Sequence, residues 1–192
     1  MSEQDNTPKK HTIIALVENR PGVLNRVVSL FRRRNYNVDS LTVGRTHRSH
    51  LSRMTIVVDA LKAPPKQIVA NLYKLVNVVE VREISEDLYV SRDLALIKVR
   101  TDDASSYNLV TEICERFPAR LVDIGTKVSI VECTARAEVI EELIDALRPI
   151  GIVEMVRTGI VAMGRGVRIL DSDYQPQVRA APAALNGERY SV

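Results

Sequence analysis

The sequence predicts an α+β protein made of two consecutive βαββαβ units, and three observations support this fold class. Short apolar or alternating runs typical of strands are separated by segments whose apolar residues recur at helical spacing. Gly, Pro and Asn residues stand at the boundaries between these segments. The same order of elements then occurs a second time, roughly 80 residues further along the chain. Together these features predict two tandem ferredoxin-like domains.

The first unit is predicted to span residues 11–86. It opens with the strand "HTIIALVE", a β-branched apolar run that ends at Asn-Arg-Pro-Gly. The helix that follows is predicted to bury one stripe, made of Leu24, Val27, Val28 and Phe31. Asn35 tolerates the left-handed conformation and is expected to stop this helix after three arginines.

Two strands and a second helix complete this unit. The strands are "NVDSLTVGR" and "HLSRMTIVVDA", and a hairpin connection containing Gly44 joins them. One face of the second strand is predicted to hold Met54, Ile56 and Val58, and the other Arg53, Thr55 and Val57. The helix begins after Pro-Pro, with its predicted stripe at Ile68, Leu72, Leu75 and Val76, and "NVVEVREIS" is the closing strand.

The second unit is predicted at residues 87–170, joined to the first near residues 85–92. The strand "DLALIKVRT" precedes the helix "SSYNLVTEICERF", and a hairpin turns at Gly125-Thr126. The helix "AEVIEELIDALRPI" carries a stripe of Ile140, Leu143, Ile144 and Leu147. We expect "GIVEMVRTGIVAM" to form one last strand with a bulge near Gly159. Residues 1–10 are predicted to be a flexible lead-in, and 171–192 a tail that is disordered or ordered only against a partner.

Composition excludes several classes of protein. Lys and Arg number 27 and Asp and Glu 24, so the formal net charge of +3 is too small to indicate nucleic-acid binding by itself. Cys114 and Cys133 lack metal-type spacing and are expected to be buried, reduced thiols. No apolar run approaches the roughly 18 residues of a membrane span. The segment "MSEQDNTPKKH" lacks the apolar part of a signal peptide, so we expect a cytoplasmic protein.

The sequence offers no catalytic or metal site. His47 and His50 form an H-x-x-H pair without a third ligand nearby, so we interpret them as exposed loop histidines. No phosphate-binding glycine motif occurs in a strand-to-helix setting. RNA-recognition domains share this element order, but they stack bases on strand aromatics. The strands "HTIIALVE" and "HLSRMTIVVD" hold no aromatic residue, which disfavours RNA binding.

The turn Asn19-Arg20-Pro21-Gly22 admits two interpretations. It is a plain strand-to-helix corner in which Asn19 caps the helix, and the local sequence by itself favours this interpretation. Alternatively, the free N–H groups of the helix N-terminus hold a carboxylate, and Gly22 lets that ligand approach the backbone. In the second case the carbonyl oxygen of Asn19 would accept a hydrogen bond from an ammonium group.

The longer stretch "ENRPGVLNRVVSLFRRRNYNVDSLTVG", followed by "LSRMTIVVD", closely resembles the N-terminal ACT domain of acetolactate synthase small subunits. The continuation "SLTV…LSRMT" is more specific than the turn itself, which recurs in many ACT domains. The segments "ALIKV" and "VEMVRTGIVAMGRG" are similar to the start and the end of that family's C-terminal domain. The resemblance covers about residues 11–170.

The resemblance implies a regulatory subunit without activity of its own. Such subunits bind the catalytic large subunit, raise its activity and make it sensitive to feedback by a branched-chain amino acid, most often valine. Thiamine diphosphate, magnesium and FAD are expected in the large subunit, with no cofactor in this chain. The resemblance also implies a homodimer through the ACT domains, with the effector held where two ACT domains meet.

The resemblance assigns the effector contacts to Asn19, Arg20, Pro21, Gly22, Val23, Leu24, Asn37 and Val38, with Asn37 contributed by the partner protomer. Two positions depart from the family pattern. Asn35 replaces a glycine but also tolerates the left-handed conformation. Val38 replaces the more common isoleucine and could shift the preference among valine, leucine and isoleucine. The alternative function is a free-standing ACT-type amino-acid sensor without a synthase partner.

Overall fold

The computed structural model describes residues 10–59, 64–85 and 88–165. The lead-in predicted at residues 1–10 lies outside the described residues except for Lys10, and the tail predicted at 171–192 lies wholly outside them. No helix within the described ranges is long and apolar enough to cross a membrane.

The first half of the chain forms a four-stranded antiparallel sheet with two helices on one face. Its elements are β1 Lys10–Glu18, α1 Val23–Arg33, β2 Val38–Arg45, β3 Leu51–Asp59, α2 Pro65–Leu72 and β4 Val78–Glu83. The strand order is β2-β3-β1-β4, and every neighbouring pair is antiparallel. This is the ferredoxin-like order that the sequence predicts.

The second half repeats the arrangement and adds one strand. Its elements are β5 Tyr89–Arg100, α3 Ala104–Arg116, β6 Ala119–Ile124, β7 Val128–Ala135, α4 Ala137–Leu147, β8 Ile152–Arg157 and β9 Val161–Gly164. The strand order is β6-β7-β5-β8, while β9 pairs with the first four residues of β5. The predicted α+β class with two βαββαβ units is therefore confirmed.

Each domain has its own aliphatic core between the helices and one face of the sheet. The predicted alternation of β3 is confirmed, because Met54, Ile56 and Val58 all lie in the first core. The predicted stripe of α4 is confirmed at all four positions in the second core. Cys114 and Cys133 are buried there as free thiols, and burial raises the pKa of both. Both are therefore poor nucleophiles at neutral pH.

Two helix predictions were partly wrong. In α1 the buried residues are Val23, Val27, Leu30 and Phe31, whereas Leu24 and Val28 are each 45% exposed. The helix therefore sits rotated from the predicted stripe, and its two remaining apolar residues face away from the core. In α2 the helix ends at Leu72, so Val76 lies beyond it and is 78% exposed.

The last strand was also predicted wrongly, because it is two strands. Thr158, Gly159 and Ile160 separate β8 from β9, and Gly159 has a φ of 80°. The chain therefore leaves the second sheet after β8 and crosses to the first domain. There β9 pairs with an N-terminal extension of β5 that begins at Tyr89, four residues before the predicted strand.

This crossing joins the two domains through hydrogen bonds to the face of the first sheet that is opposite its helices. The Ile160 N–H donates to Ser40 Oγ at 3.1 Å, and Thr42 Oγ1 donates to the Thr158 carbonyl at 3.2 Å. Ile14, Ile84 and Ala162 form a small third core under the crossing, with Tyr89 and Ile160 packed against it. We call this contact the interdomain joint, meaning residues 158–162 and the residues that they touch.

Asp93 anchors the joint from the side of the second domain. Its carboxylate side chain is 2% exposed, and it pairs with the Arg157 guanidinium at 2.6 Å. It also accepts from the Gly159 N–H at 3.1 Å and from Thr158 Oγ1 at 3.3 Å. A buried carboxylate with this many donors is fully compensated, so it fixes the direction in which the chain leaves β8.

The end of β4 is held by a smaller polar cluster. Glu83 accepts from the Ser85 N–H at 3.1 Å, and its Oε1 lies 3.2 Å from Nδ1 of the buried His11. Burial alone would raise the pKa of Glu83, but the hydrogen bonds from Ser85 and His11 outweigh burial and lower it. The folded state therefore favours the ionised carboxylate.

Candidate effector-binding site

The turn between β1 and α1 presents an open helix N-terminus. Gly22 precedes the first helical residue with a φ of 83°, a left-handed conformation that glycine adopts without strain. No side chain caps α1, and within the described residues the N–H groups of Leu24 and Asn25 have no acceptor. A Cβ at Gly22 would meet no atom within 4 Å, so the space beside these donors is open. The geometry suits a carboxylate.

Asn19 does not cap the helix, so the capping interpretation was wrong. Its side-chain Nδ2 donates to the Ser49 carbonyl at 2.9 Å, and its backbone N–H donates to the His50 carbonyl at 2.7 Å. Both acceptors lie in the connection between β2 and β3, which is close in space because β1 and β3 are neighbours. Since Nδ2 is engaged, the Oδ1 atom of Asn19 is the one presented as an acceptor.

A second set of contacts fixes the other side of the turn. Asn77 Nδ2 donates to Glu18 Oε2 at 2.6 Å, and Arg26 Nη1 donates to Asn77 Oδ1 at 2.9 Å. Arg20 is exposed and its guanidinium lies 3.4 Å from the Glu18 carboxylate. The turn is thus tied to the segment before β4 and to the connection before β3, so its shape is set before any ligand arrives.

The apolar residues of the predicted site have different environments. Val23 is 4% exposed and belongs to the first core, whereas Leu24 is 45% exposed. Pro21 and Gly22 are exposed at the surface of the turn. Leu24 and the Pro21 ring therefore offer apolar surface next to the open helix N-terminus, and Val23 supports the turn from beneath.

Asn37 and Val38 lie at the opposite end of the same domain. The Asn37 carbonyl accepts from the Asp59 N–H at 3.2 Å, and Asp59 pairs with Lys10 at the start of β1. The turn with Asn19 follows the other end of this nine-residue strand. At about 3.3 Å per residue, the two groups of residues are about 30 Å apart within one chain. One chain therefore does not bring Asn37 to Gly22.

The residues that hold the turn could not be found from the sequence. Ser49, Asn77 and Glu18 act through contacts between positions 30 and 59 residues apart, and no local pattern marks such pairs. Elsewhere, His47 and His50 are exposed, and the described residues contain no group of three or more His, Cys, Asp or Glu side chains suited to a metal ion.

The chain has two βαββαβ domains, and in the first of them a glycine turn leaves a helix N-terminus open. These features define a protein of the tandem ferredoxin-like, ACT-type class. Comparison with known families gives a more specific result. Residues 13–80 match the family described as "AHAS small subunit-like ACT domain", and residues 92–166 match "Small subunit of acetolactate synthase". The chain belongs to the acetolactate synthase small-subunit family.

Individual relatives agree with this assignment. The acetolactate synthase small subunit of Mycolicibacterium smegmatis is 45% identical over 163 residues, which cover 85% of this chain and 95% of the relative. A probable acetolactate synthase small subunit of Archaeoglobus fulgidus is 46% identical over 157 residues, covering 82% and 98%. The crystal structure of the small subunit from Thermotoga maritima aligns with a TM-score of 0.73 at 36% identity, covering 83% of this chain and 99% of that one.

Proposed function

We propose that this chain is the non-catalytic regulatory subunit of an acetolactate synthase. It binds the catalytic large subunit, raises its activity and makes it sensitive to feedback by a branched-chain amino acid, most often valine. The observation that carries the effector part of the proposal is the open N-terminus of α1 beside the firmly held Asn19. The family membership supports the synthase part, because the relatives are small subunits of that enzyme.

The site requires a homodimer, and the topology supplies a route to one. β2 is an outer strand of its sheet and runs in the same direction as β1, since both are antiparallel to β3. Antiparallel pairing of two β2 strands about a two-fold axis would place the start of one β2 beside the end of the other. The Asn37 of each protomer would then approach the β1–α1 turn of its partner.

Exposed apolar residues on these elements support the same interface. Leu24 and Val28 are 45% exposed, Val43 is 41% exposed and Val38 is 36% exposed. Leu24 and Val28 are four residues apart on α1 and therefore share one face of the helix. Burying these side chains against a second copy would remove apolar surface from water, which favours association.

In the proposed pose the ligand contacts both protomers of the dimer. The α-carboxylate meets the N–H groups around Gly22 and Leu24, where the helix dipole also favours negative charge. The ammonium group meets Oδ1 of Asn19 and the side chain of Asn37 from the second protomer. The aliphatic side chain lies against Leu24 and Val38, whose short side chain leaves room for one extra methylene.

An effector can regulate only if it binds one state of the assembly better than another. The described structure contains a physical path from the site to the second domain. β2 begins beside Asn37, and its Ser40 and Thr42 hydroxyls bond directly to the interdomain joint. We assign the coupling to β2, whose position would differ between the ligated and free dimers.

The cofactors of the reaction belong to the large subunit in this proposal. Thiamine diphosphate, magnesium and FAD would carry the chemistry there, and this chain would act on that chemistry only through the subunit contact.

The test uses the holoenzyme reconstituted from this chain and its large subunit, assayed for acetolactate formation with and without valine. Asn19→Ala and Asn37→Ala should abolish valine inhibition and leave activation by the subunit intact. Asn37 is informative because its side chain is exposed and bonds to no described residue, so its loss should leave the fold intact. Asn108→Ala, the same change at an exposed position of α3 in the second domain, is the matched control and should keep inhibition.

A pair of substitutions matched in size but different in charge tests the carboxylate position. Gly22→Asp and Gly22→Asn introduce side chains of similar size, and both residues tolerate the left-handed conformation. The aspartate should weaken valine binding more than the asparagine does, because its carboxylate competes for the same N–H groups. Equal effects of the two variants, or unchanged inhibition in the Asn19 and Asn37 variants, would contradict this site. Valine binding without capture of a synthase would instead support the free-standing sensor.

A further inference from the structure

A cavity of about 320 Å³ lies between the first sheet and the ribbon formed by β9 and the start of β5. Its walls include Thr42, Gly44 and Thr55 from the sheet, and Val90, Val161 and Met163 from the ribbon. The volume is at the small end of the range for ligand sites, roughly 300–1,000 Å³. The cavity is on the sheet face opposite α1, so it is separate from the candidate effector-binding site.

Three arginines, Arg45, Arg53 and Arg92, also line this cavity, and none of its described lining residues is acidic. Within the described residues none of the three forms an ion pair. Arg53 donates to the Ala162 carbonyl at 2.6 Å, and Arg92 to the carbonyl of its neighbour Ser91 at 2.7 Å. Carbonyl oxygens satisfy donors but do not neutralise charge, and no acidic side chain among the described lining residues offsets these three cations.

Arg53 is the partly buried member of the three, whereas Arg45 and Arg92 are exposed. Burial lowers the pKa of Arg53, and repulsion by Arg82 on the same sheet face lowers it further. Arg82 is itself paired with Glu80 at 3.1 Å. A desolvated cation without a counter-ion is costly, and an anion in the cavity would relieve that cost.

We propose that this cavity is a second ligand site, which binds a small organic anion with a carboxylate or phosphate head and an apolar body. The guanidinium groups of Arg53 and Arg92 hold the head, since their fork of donors matches both kinds of oxyanion. Val90, Val161 and Met163 hold the apolar body. The site sits on the interdomain joint, so its occupancy would also strengthen the contact between the domains.

Calorimetric titration of the full chain would test this with four probes. Isovalerate and phenyl phosphate have a charged head and an apolar body, inorganic phosphate has only the charge, and isoamyl alcohol only the apolar body. Saturable binding of either organic anion, with much weaker binding of inorganic phosphate and of the alcohol, is the expected result. The preferred organic anion identifies the head group as carboxylate or phosphate.

Variants separate this site from the rest of the molecule. Arg53→Gln and Arg92→Gln should each weaken binding about tenfold, as expected for loss of a charged hydrogen-bond donor. Gly44→Val should block binding while keeping every arginine, because a Cβ at Gly44 meets nothing within 4 Å and would point into open space. Arg116→Gln, an exposed arginine at the end of α3, and Asn19→Ala should both bind the probe normally.

Two results would overturn the proposal. One is the absence of saturable binding of any anion at millimolar concentration. The other is equal binding by the parent chain and the Gly44→Val variant, which would place the anion elsewhere. Arg53→Gln could also loosen the joint, but Arg92→Gln and Gly44→Val leave the bond to Ala162 in place and keep the test decisive.

Discussion

Gly159→Ala tests whether the interdomain joint depends on a residue without a side chain. Gly159 has a φ of 80°, where an L residue costs about 1–2 kcal/mol. A methyl group there would overlap the Ser40 hydroxyl oxygen. If Ser40 rotates away, the Ile160 N–H loses its acceptor, which costs about 1–3 kcal/mol. We therefore expect a loss of about 2–5 kcal/mol in the free energy of unfolding.

Urea unfolding followed by circular dichroism at neutral pH measures this change. Gly164→Ala is the matched control, because its added Cβ meets nothing within 4 Å and its backbone is not left-handed, and it should stay within about 0.5 kcal/mol of the parent. Ser40→Ala removes the overlapping oxygen. The double variant should therefore lose about 1 kcal/mol less than the sum of the single variants. A neutral Gly159→Ala, or strictly additive costs, would refute the reasoning.

Three further predictions concern pH, the dimer and the second core. The pKa of Glu83 lies below its ordinary value of 4.5, so its contribution to stability is complete above that pH and is lost as the pH falls through the lowered value. The urea concentration at the unfolding midpoint should therefore fall less steeply at acid pH in Glu83→Gln than in the parent chain. The same fall in both proteins would contradict a stabilising role for the ionised Glu83. Val28→Lys should shift the mass measured by light scattering from that of two chains towards that of one chain. Val76→Lys is the control and should leave the mass unchanged, because Val76 is 78% exposed just before β4, the strand at the opposite edge of the sheet. Dissociation by both variants or by neither would exclude the proposed interface. Thr101→Val should cost about 1–3 kcal/mol in urea unfolding because it strands the buried Ser129 hydroxyl, and Thr101→Val/Ser129→Ala should recover part of that loss.

The sequence predicted the fold because local patterns and packing agree over most of the chain. The alternation of β3 is complete within 9 residues and the stripe of α4 within 11, and the same residues fill the cores. In α1 the pattern was not sufficient. Its apolar surface is wider than the face that the core covers, and periodicity does not distinguish a residue that faces the core from one that faces a partner.

Two further errors, at β9 and at Asn19, share one physical cause, which is pairing between distant parts of the chain. β9 forms a strand against residues about 70 positions earlier, and Asn19 finds its acceptor at Ser49 rather than in its own helix. Local propensity favoured a single bulged strand in the first case and a cap in the second. The effector contacts themselves stay a prediction, because Asn19 and Asn37 lie at opposite ends of one domain and a second copy of the chain is needed to bring them together.

The two halves of this chain cannot be separated cleanly, because β5 belongs to both of them. Its first four residues pair with β9 beside the first domain, and its last eight pair with β7 and β8 in the second. A fragment ending at residue 85 would leave Ile14 and Ile84 without the cover of Ala162 and Ile160. The halves are therefore not interchangeable modules. A hybrid that joined this first domain to another protein would have to supply a substitute ribbon, or it would expose an apolar patch prone to aggregation.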